Sequence, residues 1–401
     1  MTPLLPVADA QTRLFAMAPR VASERVPLAA AAGRWTTEPV IALRAQPGAD
    51  LSSMDGYAIR FDDLPGPWRV IGESAAGRAF GGATERGEAV RIFTGAAMPA
   101  GADSVLVQEE ADRAGDTLAL AGEGPPRRGA SVRPKGLDFD RGAVLIGAGT
   151  RLTPAAIALA ATGGHGALTV NRRLRIVILA TGDELIAPGT ASDDPLALPE
   201  GNSAMLAALL TDLPVDVTAA GIVPDSLDAL ATAFSGANAD IIVTTGGASV
   251  GDHDLMHVAL QAEGVDLAFW KIALRPGKPM MHGRLGDMRV IGLPGNPVSS
   301  YVCAFLFMVP LLRALSGRTD VHHALEPAVL GNALPANDQR QDYLRASLAR
   351  RADGVTVATT VSHQDSSLLA NLAVAQALVV RPPFAPAASM GDPCTLIRLP
   401  G

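Results

Sequence analysis

Residues 241–257 read IIVTTGGASVGDHDLMH, and the fold turns on what the five apolar and β-branched residues and the glycines after them are doing. Three chemistries overlap here. Gly247-Ala-Ser249-Val-Gly251 fits the G-x-S-x-G pattern of a hydrolase nucleophile elbow. His253 and His257 have the i, i+4 spacing of a zinc-protease helix. Thr245-Gly246-Gly247, closing an apolar run, fits an anion cradle at the end of a parallel strand. The elbow reading is weakened because Thr245, Gly246 and Gly247 separate the strand from Ser249 and no acid and histidine downstream are singled out as triad partners. The zinc reading lacks both a glutamate beside the first histidine and a third ligand.

The cradle reading gains from repetition along the chain. RIVILATGDE (175–184) and RVIGLPGNP (289–297) are further apolar runs ending in glycine, and VDVTAAGIV (215–223) is a fourth run. Helical patterns follow each, near 202–211, 225–234, 252–262 and 298–315. That alternation predicts βαβ units and a parallel sheet with helices on both faces, the class in which ligands bind beyond the carboxyl ends of the strands. Thr181, Gly182, Asp183 and Glu184, then Gly246 and Gly247, then Pro294, Gly295 and Pro297 would meet at that edge. Lys271, Arg275 and Lys278 in WKIALRPGKP supply positive charge suited to an oxyanion. Carboxylates in the same loops, Asp183, Glu184, Asp225, Asp252 and Asp254, suggest a hard divalent cation such as Mg²⁺. Asp225 precedes a helical run and reads equally well as its N-cap.

Around this centre the pattern changes. VADAQTRLFAMA (7–18) is spaced as a short amphipathic helix closed by Pro19. Short β-type runs broken by glycine and proline fill about 45–140 (WRVIGE, AVRIFTG, SVLVQEE), TPAAIALAATGG (153–164) reads as a helix, and a terminal β-module (LRASLA, VTVATT, ALVVRPP, CTLIRLP) follows about 320. A length of 401 residues fits several domains. The net charge of −7 opposes a general nucleic-acid binder. The two cysteines, Cys303 and Cys394, make neither a disulfide framework nor a metal motif, which fits a reducing compartment. No secretory signal pattern is read at the start, and YVCAFLFMVPLLRAL (301–315) falls short of a membrane span and reads as a buried helix.

Taken together, SSMDGYAIR (52–60), RIFTGAAMPAGAD (91–103), ATGDEL (180–185), TTGGASVGDHD (244–254), WKIALRPGKP (270–279) and GLPGNPVSS (292–300) resemble the MoeA family of molybdopterin molybdenumtransferases, related to the C-terminal domain of gephyrin. The resemblance covers nearly the whole chain in the family's order. It implies a four-part organisation: a helical linker region from 1–44 and 141–174, a small β-rich domain at 45–140, an α/β domain at 175–320 like that of molybdopterin adenylyltransferases, and a C-terminal β-barrel at 321–401. It also implies an elongated homodimer in the cytoplasm, with Mg²⁺, and with adenylylated molybdopterin and molybdate as substrates that yield molybdenum cofactor and AMP. Other proteins of cofactor assembly are possible partners; nucleic acid and membrane are not expected.

Residue by residue, the resemblance assigns Glu184, Asp55, Asp225, Lys271 and Lys278 to the catalytic set, and Glu184, Asp225 and Asp254 to the metal. Thr94, Asp138, Ser249, Arg275, Arg345 and Ser366 join the loop residues above as substrate-binding positions. Asp138 falls where the family has Gly-Glu-Asp, but this chain has Gly136-Leu137-Asp138 and lacks the glutamate. Arg275 stands where many relatives have lysine, which keeps the charge and changes its geometry. Two rival readings remain: a non-catalytic scaffold of the same fold, and adenylyl transfer to molybdopterin. The largely intact acidic and basic sets oppose the scaffold. The extra terminal modules oppose adenylyl transfer.

Overall fold

The computed structural model describes residues 4–16, 21–246, 255–262, 264–277 and 279–400. The chain forms two compact units: residues 25–32 with 38–168 in one, and 1–24, 33–37 and 169–401 in the other.

The larger unit is built on a six-stranded sheet. Val215–Val223, Leu174–Thr181, Ile241–Thr245 and Met288–Leu293 lie side by side in that order and run parallel. Their apolar runs are continuous because both faces are covered. Ile176, Ile178, Ile241, Val243, Ile291 and Leu293 pack on one face against the helices Val7–Ala16, Asn202–Leu209 and the helical run 297–315. Leu179, Ile242 and Val290 pack on the other against Leu230 and Phe234 of the Leu227–Ser235 helix and Ala259 and Leu260 of Leu255–Ala262. The sheet departs from the expected all-parallel pattern at one edge, where Pro279–Leu285 and Asp266–Lys271 are antiparallel. Only Gly286 and Asp287 separate Leu285 from Met288, and two residues can close a hairpin but cannot carry a crossover. Gly286 takes the positive φ of 58° that such a turn needs.

The apolar segment at 297–315 is a buried helix, as its composition predicts. It is long and apolar enough to cross a membrane by length and hydropathy, yet 83% of its apolar window is buried in this core. Pro310 cannot donate to the carbonyls behind it. The helix answers with a π-turn at Ala304–Met308, and the carbonyls facing the proline find other donors: Gln11 Nε2 donates to Leu306 O at 2.8 Å and His323 Nε2 to Phe305 O at 2.7 Å. The Val7–Ala16 helix is thereby tied to this core through Val7, Ala10 and Leu14 as well as Gln11. The sequence places that helix in the linker region.

Five C-terminal strands close on themselves. Glu326–Leu330 pairs Thr356–Thr360, which pairs Gln341–Arg350, then Ala377–Arg381, then Pro393–Arg398, which returns to Glu326–Leu330. This is the β-barrel expected after 320, and closure leaves it without open edges. The smaller unit holds a six-stranded sheet with Gly56–Ile59 between Ser104–Val107 and Glu88–Ile92, packed around Trp68, Ile59 and Leu118.

Candidate functional site

Register decides which loops meet. Thr181 pairs with Val223, Ala180 with Thr245, and Thr245 with Leu293. The antiparallel edge brings Met281 opposite Gly292 and Lys271 opposite Pro279. The segments 181–184, 223–225, 245–246 and 293–297 and the residue Lys271 therefore lie at one edge of one sheet. Their backbones are close. Gly246 has a φ of 93°, and a Cβ there would collide with the Thr181 carbonyl oxygen; its N–H donates to Leu293 O at 3.3 Å. A Cβ on Gly295 would lie 3.7 Å from Gly246 Cα. Glycine at 246 is thus required both by the turn and by the neighbouring strand end.

Carboxylates collect over this edge. The Glu184 carboxylate folds back over Gly182, where a Cβ would lie 2.7 and 2.8 Å from its two oxygens. Asp183 Oδ1 accepts the Asp225 N–H at 3.5 Å. Desolvation, then the negative charges of Asp183 and Glu184, push the Asp225 carboxyl above its ordinary value. Asp225 is not the N-cap that the sequence allows: Ser226 caps the Leu227–Ser235 helix, its Oγ accepting from Ala229 N at 3.3 Å. Its carboxylate stays with the acidic loops. Among the described residues no set of three or more His, Cys, Asp or Glu side chains is arranged to hold a metal; Asp254, the third member of the expected set, lies outside them. So do Gly247, Ser249, Gly251, His253 and Lys278.

The expected cations differ in their surroundings. Lys271 is exposed at the end of its strand. Arg275 is instead committed to the barrel: Nε donates to Asp342 Oδ1 at 2.8 Å, Nη2 donates to Asn337 Oδ1 at 3.0 Å and to Asp342 Oδ2, and Asp338 lies 3.5 Å from Nη1. Its charge already faces two carboxylates, while 41% of its side chain stays exposed. The fork of an arginine, unlike a lysine ammonium, can grip a carboxylate at two points.

Arg345 departs from expectation, being 1% exposed. It donates to the carbonyl oxygens of Leu368 and Asp365 at 3.0 and 2.9 Å, so it holds a loop and has no surface for substrate. Ser366, in that loop, does reach the edge: its Oγ accepts from Asn296 Nδ2 at 2.9 Å and its carbonyl from Val298 N at 3.2 Å. Pro294 and Pro297 frame the same turn; Pro297 opens the following helix at its first position. The sequence reading passes over Asn296 and Asn202, yet Asn202 Nδ2 donates to Gly295 O at 2.7 Å. The signal was present in Glu200-Gly-Asn-Ser203 ahead of a helical run, a helix-start pattern, and Glu200 indeed accepts from Ser203 N at 2.9 Å.

In the smaller unit, Asp55 and Thr94 are brought together across 39 residues. Asp55 Oδ1 accepts the Thr94 N–H at 2.7 Å and its hydroxyl at 2.9 Å. These two bonds, the backbone one first, hold the Asp55 carboxyl below its ordinary value, with the Arg91 charge adding a smaller push. Arg91 lies over the Tyr57 and Phe93 rings, 5.1 and 4.8 Å from their centroids. Asp138 is exposed, with its N–H donating to Gln46 O at 2.9 Å, and Leu137 beside it is 61% exposed.

Three family models match the chain: the MoeA N-terminal region (domain I and II) at residues 5–164, a probable molybdopterin binding domain at 177–314, and the MoeA C-terminal region (domain IV) at 327–399. A molybdopterin molybdenumtransferase of Nostoc sp. is 32% identical over 424 residues, covering 100% of this chain and 95% of its own length. One from Haemophilus influenzae is 36% identical over 300 residues, 74% of each chain. The crystal structure of a molybdopterin biosynthesis MoeA protein from Pyrococcus horikosii superposes with a TM-score of 0.84 at 25% identity, covering 100% of both chains. With MoeA models over residues 5–164 and 327–399 and a relative 32% identical across all of it, the chain belongs to the MoeA family.

Proposed function

We propose that this chain is a molybdopterin molybdenumtransferase: it takes adenylylated molybdopterin and molybdate, inserts the metal oxyanion at the dithiolene and releases AMP. The observation that carries the reading is the convergence of four strand ends, each bearing glycine, acid or both, with Lys271 at one sheet edge, in a chain of the MoeA family. The work of such a site is positioning and electrostatics, with no covalent nucleophile required. The loops at 181–184, 246–247 and 294–297 bind the phosphate-bearing part of the substrate; Lys271 and Lys278 attract molybdate and offset negative charge. Thr181, Gly182 and Asp183 shape the floor, and no nucleophilic role is assigned to Ser249.

Burial first, and then the negative charges of Asp183 and Glu184, disfavour ionised Asp225; carboxylate oxygens are the donors a hard divalent cation takes, although among the described residues these three are not grouped as a ligand set. Glu184, Asp225 and Asp254 would hold Mg²⁺ there. When bound it would supply positive charge beside the substrate phosphates. Asp55, Thr94 and Asp138 of the smaller unit are proposed to serve the site of a second copy in a homodimer. The four-part organisation with boundaries near 45, 140, 175 and 320, a cytoplasmic location and contact with other cofactor-assembly proteins belong to the same proposal. To test it, purified protein is mixed with adenylylated molybdopterin, molybdate and Mg²⁺, and AMP is measured. The wild type should release AMP and Glu184→Ala should not. Wild-type turnover in Glu184→Ala would remove that residue from the mechanism, and no AMP from the wild type would overturn the function.

A further inference from the structure

The 293–297 turn of the candidate site is held partly by the C-terminal barrel. Arg345 sits in the barrel strand Gln341–Arg350 and is 1% exposed. Its fork is filled largely by carbonyl oxygens: Nη1 donates to Leu368 O at 3.0 Å, and Nη2 to Asp365 O at 2.9 Å and His363 O at 3.4 Å. Nε donates to Gln364 Oε1 at 3.2 Å. Gln364 locks the arrangement in return, its Nε2 donating to the carbonyls of Arg345 and Val361 at 3.1 Å each, while its Oε1 accepts the Arg345 N–H at 3.1 Å. Residues 361–368 are thus wrapped around a side chain of the strand beside them. Asp365 tightens the turn by accepting from the N–H and hydroxyl of Ser367 at 2.8 and 2.6 Å.

The outward product of this order is the placement of Ser366. Its carbonyl accepts from Val298 N, one of the first-turn donors that a helix leaves without an internal partner. Its hydroxyl oxygen accepts from Asn296 Nδ2. Asn202 holds the other side of the turn through Gly295 O. The turn is clamped between the head of a helix in its own domain and a loop of another.

We propose that Arg345 and Gln364 are positioning residues: they shape the 361–368 loop so that Ser366 sets the 293–297 turn, and the barrel thereby tunes how tightly the pocket holds its phosphate-bearing ligand. This deepens the proposed function and rests on it only for the identity of that ligand. A residue with no exposed surface and every guanidinium nitrogen engaged acts through the loop it organises.

The first test needs no substrate. Hydrogen–deuterium exchange of the full chain is compared for the wild type, Arg345→Lys and Gln364→Ala. The Val298 amide and the 293–300 segment should exchange about tenfold faster in both variants, with Ile242 and Val243 at wild-type rates. Unchanged exchange at 293–300 would overturn the proposal, and so would equal acceleration at Ile242 and Val243, which marks general loss of stability. The second test uses AMP release. Arg345→Lys should raise KM for adenylylated molybdopterin about tenfold and leave kcat within about twofold, and combined with Asn296→Ala its effect should be less than additive, because the two variants share the Ser366–Asn296 contact. Additive effects would overturn the proposal. Absence of AMP release from the wild type would remove the functional reading alone, leaving the exchange result to decide the clamp.

Discussion

Replacing Gly246 by alanine separates two physical costs that the site combines. The first is conformational. At a φ of 93° an L-residue is strained, at roughly 1–2 kcal/mol. The second is steric, because the new Cβ would press into the Thr181 carbonyl oxygen and lie 3.1 Å from Thr181 Oγ1. Backbone cannot swing aside as a side chain can, so the two strand ends must part, bringing the total to about 2–4 kcal/mol. Gly221 supplies the control, with a φ of 85° and nothing within 4 Å of a Cβ; Gly221→Ala should show the conformational cost alone. In urea unfolding, with a slope of about 3 kcal/mol per molar, Gly246→Ala should lower the midpoint of the larger unit by about 1 M, and Gly221→Ala by about half of that. Turnover should separate them further: displacing the cradle by about 1 Å is expected to cost on the order of 100-fold in AMP release, and Gly221→Ala should cost little. Equal midpoints for the two variants would refute the claimed contact between the ends of Leu174–Thr181 and Ile241–Thr245. Undiminished turnover in a destabilised Gly246→Ala would refute the role of that contact in the site.

Thr94→Val removes one of the two bonds that hold the Asp55 carboxyl low, so its pKa should rise toward the ordinary value of 3.8 in an NMR titration. Because the folded value is depressed, the stability contributed by the pair is present above 3.8 and lost as pH falls through the folded pKa; an unchanged Asp55 titration in the variant would show that the threonine hydroxyl is not the cause. Arg275→Lys should cost about 1–3 kcal/mol in urea unfolding, because buried Asp342 loses a two-point partner; unaltered stability with a raised KM for molybdate would return Arg275 to substrate binding. Burial is the first cause lowering both His282 and His323 to about 4 from 6.5. Unfolded histidines bind protons that these cannot, so stability should be full above pH 6.5 and fall as pH drops toward 4, by up to about 1.4 kcal/mol per pH unit for each. A flat stability profile across that window would count against their burial.

What could be seen in the sequence, and what could not, divides along physical lines. The parallel strands were legible because burial on both faces makes them uninterrupted apolar runs, and their ends were legible because glycine is hard to replace where two backbones touch. The antiparallel edge was missed although Gly286-Asp287 is too short for a crossover, since the basic residues of WKIALRPGKP drew the reading to charge. Arg275 and Arg345 show a harder limit. A guanidinium looks the same in a sequence whether it faces solvent, a carboxylate or a ring of carbonyls, and only the pairing with Asp342 or the fold of 361–368 decides. Asn202 and Gly295 lie 93 positions apart, beyond the reach of any local pattern. The π-turn before Pro310 was signalled by the proline, but its two compensating donors, Gln11 and His323, come from opposite flanks.

The position of the Val7–Ala16 helix has a consequence for how the polypeptide matures on the ribosome. Its partners in the 297–315 helix are made about 300 residues later, roughly 15–60 s at ordinary elongation rates. Over that interval Val7, Ala10 and Leu14 have no permanent burial, while the 38–168 insertion can complete its own core. Nascent chains should therefore acquire protease resistance in reverse of simple N-to-C order, inserted body first and amino-terminal segment last. Whatever shields that segment meanwhile, chaperone or transient local contact, is part of the folding route of this architecture.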